Sequence, residues 1–131
     1  MNCLFDNNMP IKLAKTLSFL EGDEGITVKH LREKYPANTP DVEWITSLSK
    51  EDGWFIITQD IQIRNKPHEK KAWKESNIPI VFLPKSWTKA ELWEKAWRLI
   101  KYWPKLKDSI IHNRKTQSFE LTINGKITAI E

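Results

Sequence analysis

Trp54-Phe55-Ile56-Ile57-Thr58-Gln59-Asp60 is the stretch that decides the fold. Five apolar or β-branched residues follow one another with little alternation, as in a strand covered on both faces, and strands of that kind belong to parallel sheets. The run stops just short of an acid, Asp60. Cys3-Leu4-Phe5 stops in the same way against Asp6. Between them, Thr39-Pro40 opens a helical pattern with Asp41 in its first turn and Glu43 close behind. In an open parallel α/β sheet, strand ends and the helix starts that follow them share one edge, where ligands sit. Carboxylates gathered there make an oxygen-lined site suited to a hard divalent cation.

Working outward, residues 2 to 6 read as a strand. Asn8 caps the next helix and Pro10 lies in its first turn. Ile11, Leu13, Ala14, Leu17 and Leu20 recur at helical spacing until Gly22. Residues 26 to 31 form a second strand, followed by a loop through Tyr35 and Ala37. A helix from Pro40 to Gly53 turns Val42, Ile45 and Leu48 or Ser49 inward. After the decisive strand come a helix from Pro67 to about Ser76 and a fourth strand, Ile78 to Leu83. Ser86 or Thr88 then begins a long helix, with Thr88 and Glu91 at capping-box spacing. Its wide apolar face carries Leu92, Trp93, Ala96, Trp97, Leu99, Ile100 and Trp103, and Pro104 kinks or ends it. This periodicity places the tryptophans in the core, so Trp97→Ala is expected to cost ~3–5 kcal/mol. Residues 119–123, Asn124-Gly125 and residues 126–130 read as a hairpin with a type I′ turn, at the sheet edge or in an intermolecular contact. The alternation of strands and helices predicts α/β architecture in one domain over residues 1–131. Its α/β core with a basic helical end reaches 115, and the hairpin tail covers 116–131.

The chain has 131 residues, 40% hydrophobic and 29% charged, as expected of one soluble globular domain. No apolar run approaches the ~20 residues that cross a bilayer. The first residues lack the layout of a signal peptide, so a cytoplasmic location is expected. Cys3 is the one cysteine, which excludes an internal disulfide and the usual cysteine zinc sites. The net charge of +4 is uneven: residues 85–115 hold nine Lys or Arg against three acids. A basic flank beside an acidic centre suits a polyanion whose phosphates approach metal-loaded carboxylates.

Each acid alone has an ordinary structural explanation. Asp6 and Asp41 favour helix N-termini electrostatically, and Asp is common in turns such as that at Asp60. The three on one predicted edge are less easily dismissed, because magnesium asks for only one or two carboxylates plus waters and substrate phosphates. Competing chemistry is weak. His30, His68 and His112 lack ligand spacing, four glycines form no phosphate loop, and no serine sits in a nucleophile elbow.

Leu4-Phe5-Asp6-Asn7-Asn8-x-Pro10, Pro40-Asp41-x-Glu43-Trp44-Ile45 and Ile57-Thr58-Gln59-Asp60, in that order, resemble the PIN-like nucleases, closest to the compact VapC-like branch. The resemblance spans roughly residues 2 to 103. It implies a three-layer α/β/α fold around a mainly parallel sheet, to which the hairpin is an addition. It also implies a ribonuclease dependent on Mg²⁺ or Mn²⁺, commonly the toxin of a toxin–antitoxin pair. Carried over by position, Asp6, Asp41 and Asp60 are the metal-binding and catalytic acids, with Glu43 an alternative to Asp41. Asp6 and Asp60 would hold the metal while Asp41 or Glu43 orients water or a second ion. Asn8, Arg64, Lys101, Lys105 and Lys107 are expected to hold the RNA backbone. A cognate antitoxin is the expected partner besides RNA, a homodimer stays open, and no membrane is expected. Asn7 stands where the branch often has Glu, and Gln62 where a further Asp is common. The rival reading is a non-catalytic module that binds RNA or protein.

Overall fold

A computed structural model describes residues 1–60 and 65–130. Its centre is a six-stranded sheet: β1 (Asn2–Phe5), β2 (Thr27–His30), β3 (Trp54–Thr58), β4 (Ile80–Phe82), β5 (Ser118–Leu121) and β6 (Ile127–Ala129). The strand order is β2-β1-β3-β4-β5-β6. Every neighbouring pair is parallel except β5–β6. The helices are α1 (Ile11–Glu21), α2 (Leu31–Lys34), α3 (Asp41–Ser49), α4 (Pro67–Ser76), α5 (Lys85–Lys89) and α6 (Leu92–His112).

The fully buried run of β3 explains the layering. Its five residues are all buried, and alternate side chains feed opposite cores. Phe55 and Ile57 join Cys3, Phe5, Leu13, Leu17, Leu99, Trp103 and Phe119 under α1 and α6. Trp54 and Ile56 join Leu4, Trp44, Ile45, Leu48, Trp73 and Ile80 on the other face, under α3 and α4. The expected α/β fold with a central, mainly parallel sheet is the one observed.

Several local expectations are corrected. Asn8 does not cap α1; its cap residue is Pro10, which offers no side-chain acceptor. Asn8 is taken up instead by Gln59, whose N–H donates to Asn8 Oδ1 at 3.1 Å. Residues 31–34, read as the end of the second strand and the start of a loop, form α2, because His30 and Glu33 complete a capping box there. In α3, Trp44 rather than Val42 turns inward with Ile45 and Leu48. The predicted single helix after β4 is two helices, broken at Ala90, and the Thr88–Glu91 box does not form at the start of α6. Pro104 lies inside α6 without ending it, on the solvent-facing side where one missing N–H leaves a carbonyl open to water. Nor is the hairpin turn type I′, which needs positive φ at both central residues; Gly125 has φ 91° but Asn124 does not. Gly125 N–H donates to Thr122 O and Thr122 N–H to Lys126 O, both at 2.9 Å, closing a three-residue loop. The hairpin belongs to the sheet, since β5 pairs with β4.

The largest correction concerns the tryptophans. Trp103 is 5% exposed, but Trp93 is 85% and Trp97 49% exposed. The stripe that α6 buries is Leu99, Trp103, Leu106 and Ile110. At about 100° per residue, Trp93 and Trp97 sit well over a quarter-turn from it. The cost expected for Trp97→Ala therefore does not apply.

Candidate metal centre

β1 and β3 lie side by side, with Phe5 opposite Ile57. The ladder continues one step further, Asp6 N–H donating to Ile57 O at 3.0 Å, which places Asp6 beside Thr58 at the strand-end edge. Asp6 is only 3% exposed. Both its oxygens are held: Asn7 N–H donates to Oδ1 and the Thr58 hydroxyl to Oδ2, each at 2.6 Å. Asp60 N–H in turn donates to Thr58 Oγ1 at 2.8 Å, so a single hydroxyl links the two strand ends. A carboxylate has about four acceptor positions, which leaves Asp6 capacity for a cation.

Burial pushes the Asp6 carboxyl up from 3.8 to about 6. The Thr58 and Asn7 hydrogen bonds pull it down, and the negative charges of Asp41 and Asp60 add to the rise. The structure thus brings Asp41 and Asp60 each within electrostatic reach of Asp6. Glu43 is exposed and is not among the charges acting on Asp6. Asp41, the first residue of α3, is oriented by Trp44, whose indole N–H donates to its Oδ1 at 3.0 Å.

Of the residues expected to touch substrate, Asn8 serves the site by fixing the loop that carries Asp60. Its carbonyl also accepts from Gln59 Nε2 at 3.1 Å. Lys105 donates to Gly125 O at 3.0 Å and Lys107 pairs with Glu21 at 2.6 Å, so both amines already serve the fold. Lys101 is exposed. Arg64 and Gln62 lie outside the described residues.

Three contributors escaped sequence reasoning. Thr58 read as a strand residue and as one letter of the Ile57-Thr58-Gln59-Asp60 motif, with no role of its own; its role appears once the register places it beside Asp6. Arg32 donates through Nε to Asn7 Oδ1 at 2.8 Å and lines a groove of about 370 Å³ with Asn7, Tyr35 and Asp41. Buried His30 pins the loop after Asp6, its Nε2 lying 2.8 Å from Met9 O and its Nδ1 accepting from Arg32 N–H. Burial lowers the His30 pKa, which keeps the ring neutral, as these bonds require.

The sequence profile of a family described as PIN like domain matches residues 1–85. The chain belongs to the PIN-like domain family. That segment contains β1 to β4 and all three acids. Searches of curated proteins and of solved structures return no match. PIN-like domains are often nucleases that use divalent metals. Among the described residues of this PIN-like chain, no group of three or more His, Cys, Asp or Glu closes into a metal cage. The donor set fits a more open arrangement: oxygen ligands only, one or two carboxylates, and a coordination shell completed by water and phosphate.

Thr58→Val tests the link between the strand ends. The variant should fold but lose ~1–3 kcal/mol, because the buried polar groups around Thr58 lose their partner. The Asp6 titration should move above about 6, since the Thr58 bond is what holds it down. Carboxyl NMR titration reads this directly, and Thr58→Ser should restore the parent value. An unshifted Asp6 in the valine variant would rule out the hydroxyl as its anchor.

Proposed function

We propose that this PIN-like chain is a metal-dependent endoribonuclease that hydrolyses RNA phosphodiester bonds, acting as the toxin of a VapC-like toxin–antitoxin pair in the cytoplasm. The observation that carries this reading is the buried Asp6 carboxyl, fixed by Asn7 and Thr58 at the strand-end edge, with Asp41 and Asp60 close enough to act on it electrostatically. Excess negative charge in a desolvated place is relieved by a cation. Asp6 and Asp60 would hold Mg²⁺ or Mn²⁺, with Asp41 beside them. A bound divalent ion supplies Lewis-acid stabilisation of phosphate charge and acidifies water at neutral pH.

The chain's own residues do the positioning. Asn7 N–H and Thr58 hydroxyl fix the Asp6 carboxyl so that its remaining acceptor positions have a defined direction. Arg32, steadied by the Asn7 amide, carries a planar donor set suited to phosphate in the groove beside Asp41. Exposed Lys101 and its basic neighbours hold the backbone without reading sequence.

The test is cleavage of RNA by the purified chain after chelation, with Mg²⁺ or Mn²⁺ then added back. Cleavage should vanish with chelator and return with either metal. In cells, induction should arrest growth, and co-expression of an adjacent small gene should relieve the arrest. Undiminished cleavage in chelator would sink metal dependence. Absence of cleavage with every divalent ion would favour the non-catalytic binding module, a reading that the open carboxylate arrangement and Asn7 keep in play.

A further inference from the structure

The first two turns of α6 carry a surface that the metal centre does not use. Trp93 and Trp97 stand one turn apart, about 6 Å along the axis, both largely open to solvent. Bare indoles on a polar helix are costly to leave exposed and mark a contact surface. Two cations lie against Trp97. The Arg98 guanidinium lies 4.6 Å from the centroid of the Trp97 ring, and the Lys101 amine 6.0 Å. Arg98 is itself fixed, donating to Glu94 at 3.1 Å and to Ile123 O at 2.8 Å, so Trp97 rests against an immobile partner. Exposed Lys85 and Lys89 precede the pair.

The position along the fold matters as much as the composition. α6 starts directly after α5, which follows the end of β4, on the edge of the sheet that bears Asp6. A groove of about 250 Å³ lies there, lined by Gln59, Phe82, Leu83, Lys85, Thr88 and Glu120 among others. Gln59 precedes Asp60, so this groove joins the neighbour of a site acid to α5, the short helix that leads into α6.

We propose that Trp93 and Trp97 form a stacking platform for unpaired bases of a single-stranded RNA, with Lys85, Lys89 and Lys101 alongside its backbone. This deepens the ribonuclease reading and rests on it for the identity of the substrate. Flat aromatic faces accept any base, whereas paired bases keep their faces covered within the duplex. The positive flank matches a polyanion and argues against an uncharged apolar partner. The platform therefore selects unpaired RNA without choosing a sequence.

The experiment measures binding, not cleavage, so that it stands apart from the nuclease test. The full chain is kept in chelator with RNA integrity checked on a denaturing gel. Anisotropy is recorded with a labelled single strand of about 12 nucleotides, within the usual site size, and with the matching duplex. The single strand should bind more tightly. Trp93→Ala and Trp97→Ala should each weaken it roughly five- to a hundredfold, with the duplex nearly unaffected. Trp97→Phe should recover most of the loss. Both alanine variants should keep the parent unfolding curve, since neither ring is in the core. Unchanged single-strand affinity in the double variant would overturn the platform, as would equal losses for strand and duplex. Self-association abolished in the variants with RNA affinity intact would overturn it too. It would assign the surface to a second copy, through the apolar stripe that continues by Ile100 and Pro104 to Leu20.

Discussion

Asp6→Asn should reduce divalent-dependent RNA cleavage on the order of a thousandfold or more while leaving the fold intact. Losing the carboxylate proposed to hold the cation would remove several kcal/mol of transition-state stabilisation, at about 1.4 kcal/mol per factor of ten. The same substitution has a second, independent signature. The Asp6 carboxyl titrates at about 6 in the folded chain, against 3.8 for the ordinary group. The folded state therefore binds this proton more tightly than the unfolded state. The resulting stabilisation is fully present below pH 3.8 and is lost as the pH rises through about 6. By pH 7 the metal-free parent should have lost on the order of 3 kcal/mol that Asp6→Asn keeps. His30 acts in the opposite sense. Its lowered pKa gives stability present above its ordinary value of 6.5 and lost as the pH falls through the folded value. That limb should appear in parent and variant alike, so the difference between their urea-unfolding curves at pH 5 and 7 isolates Asp6. Magnesium should stabilise the parent more at pH 7 than at pH 5, and Asp6→Asn hardly at all. Full cleavage by Asp6→Asn would end the proposed mechanism, whatever its stability.

Trp103→Ala should cost ~3–5 kcal/mol, enough to unfold a large part of a marginally stable domain. Trp103 packs edge-on to Phe5 at 6.5 Å between ring centroids and against Phe55 at 6.2 Å. Its indole N–H donates to Glu21 at 2.8 Å, and that same carboxylate oxygen pairs with Lys107. One ring thus joins β1, β3, α1 and α6. Truncation leaves a cavity and strips the half-buried Glu21–Lys107 pair of its neighbour. Chemical denaturation of Trp103→Ala and Trp97→Ala side by side checks the contrast, since an exposed ring should change stability by no more than about 0.5 kcal/mol. Comparable losses for the two would mean that the burial assigned to α6 is wrong.

What could be read in the sequence was what depends on near neighbours. The run 54–58 declares a doubly covered strand through five consecutive residues, and the acids that end β1 and β3 sit a fixed few positions after their strands. The misreading of Trp93 and Trp97 has a definite cause. Periodicity gives angles between residues on one helix, but not which arc meets the sheet. Seven apolar residues over residues 92–103 are compatible with a broad face, and only the packing of Leu99, Trp103, Leu106 and Ile110 selects the arc that is buried. Thr58 and His30 were hidden for another reason. Their partners are 52 and 21 residues away, so the bonds to Asp6 and Met9 exist only after β1 has been placed between β2 and β3. Asn8 has the chemistry of a helix cap but is used by Gln59, a partner 51 residues away that only the fold brings near.

The cluster beneath α1 and α6 draws on Cys3 and Phe5 at one end of the chain and on Phe119 and Leu121 at the other. All three acids are made within the first 60 residues, yet part of the wall against which β1 and β3 rest, from Leu99 to Leu121, is supplied by the last third. During synthesis from the N-terminus, the acids of the proposed enzyme would emerge before the core behind them is complete. For the ribonuclease proposed above, this order of assembly would delay damage to the message from which it is being translated.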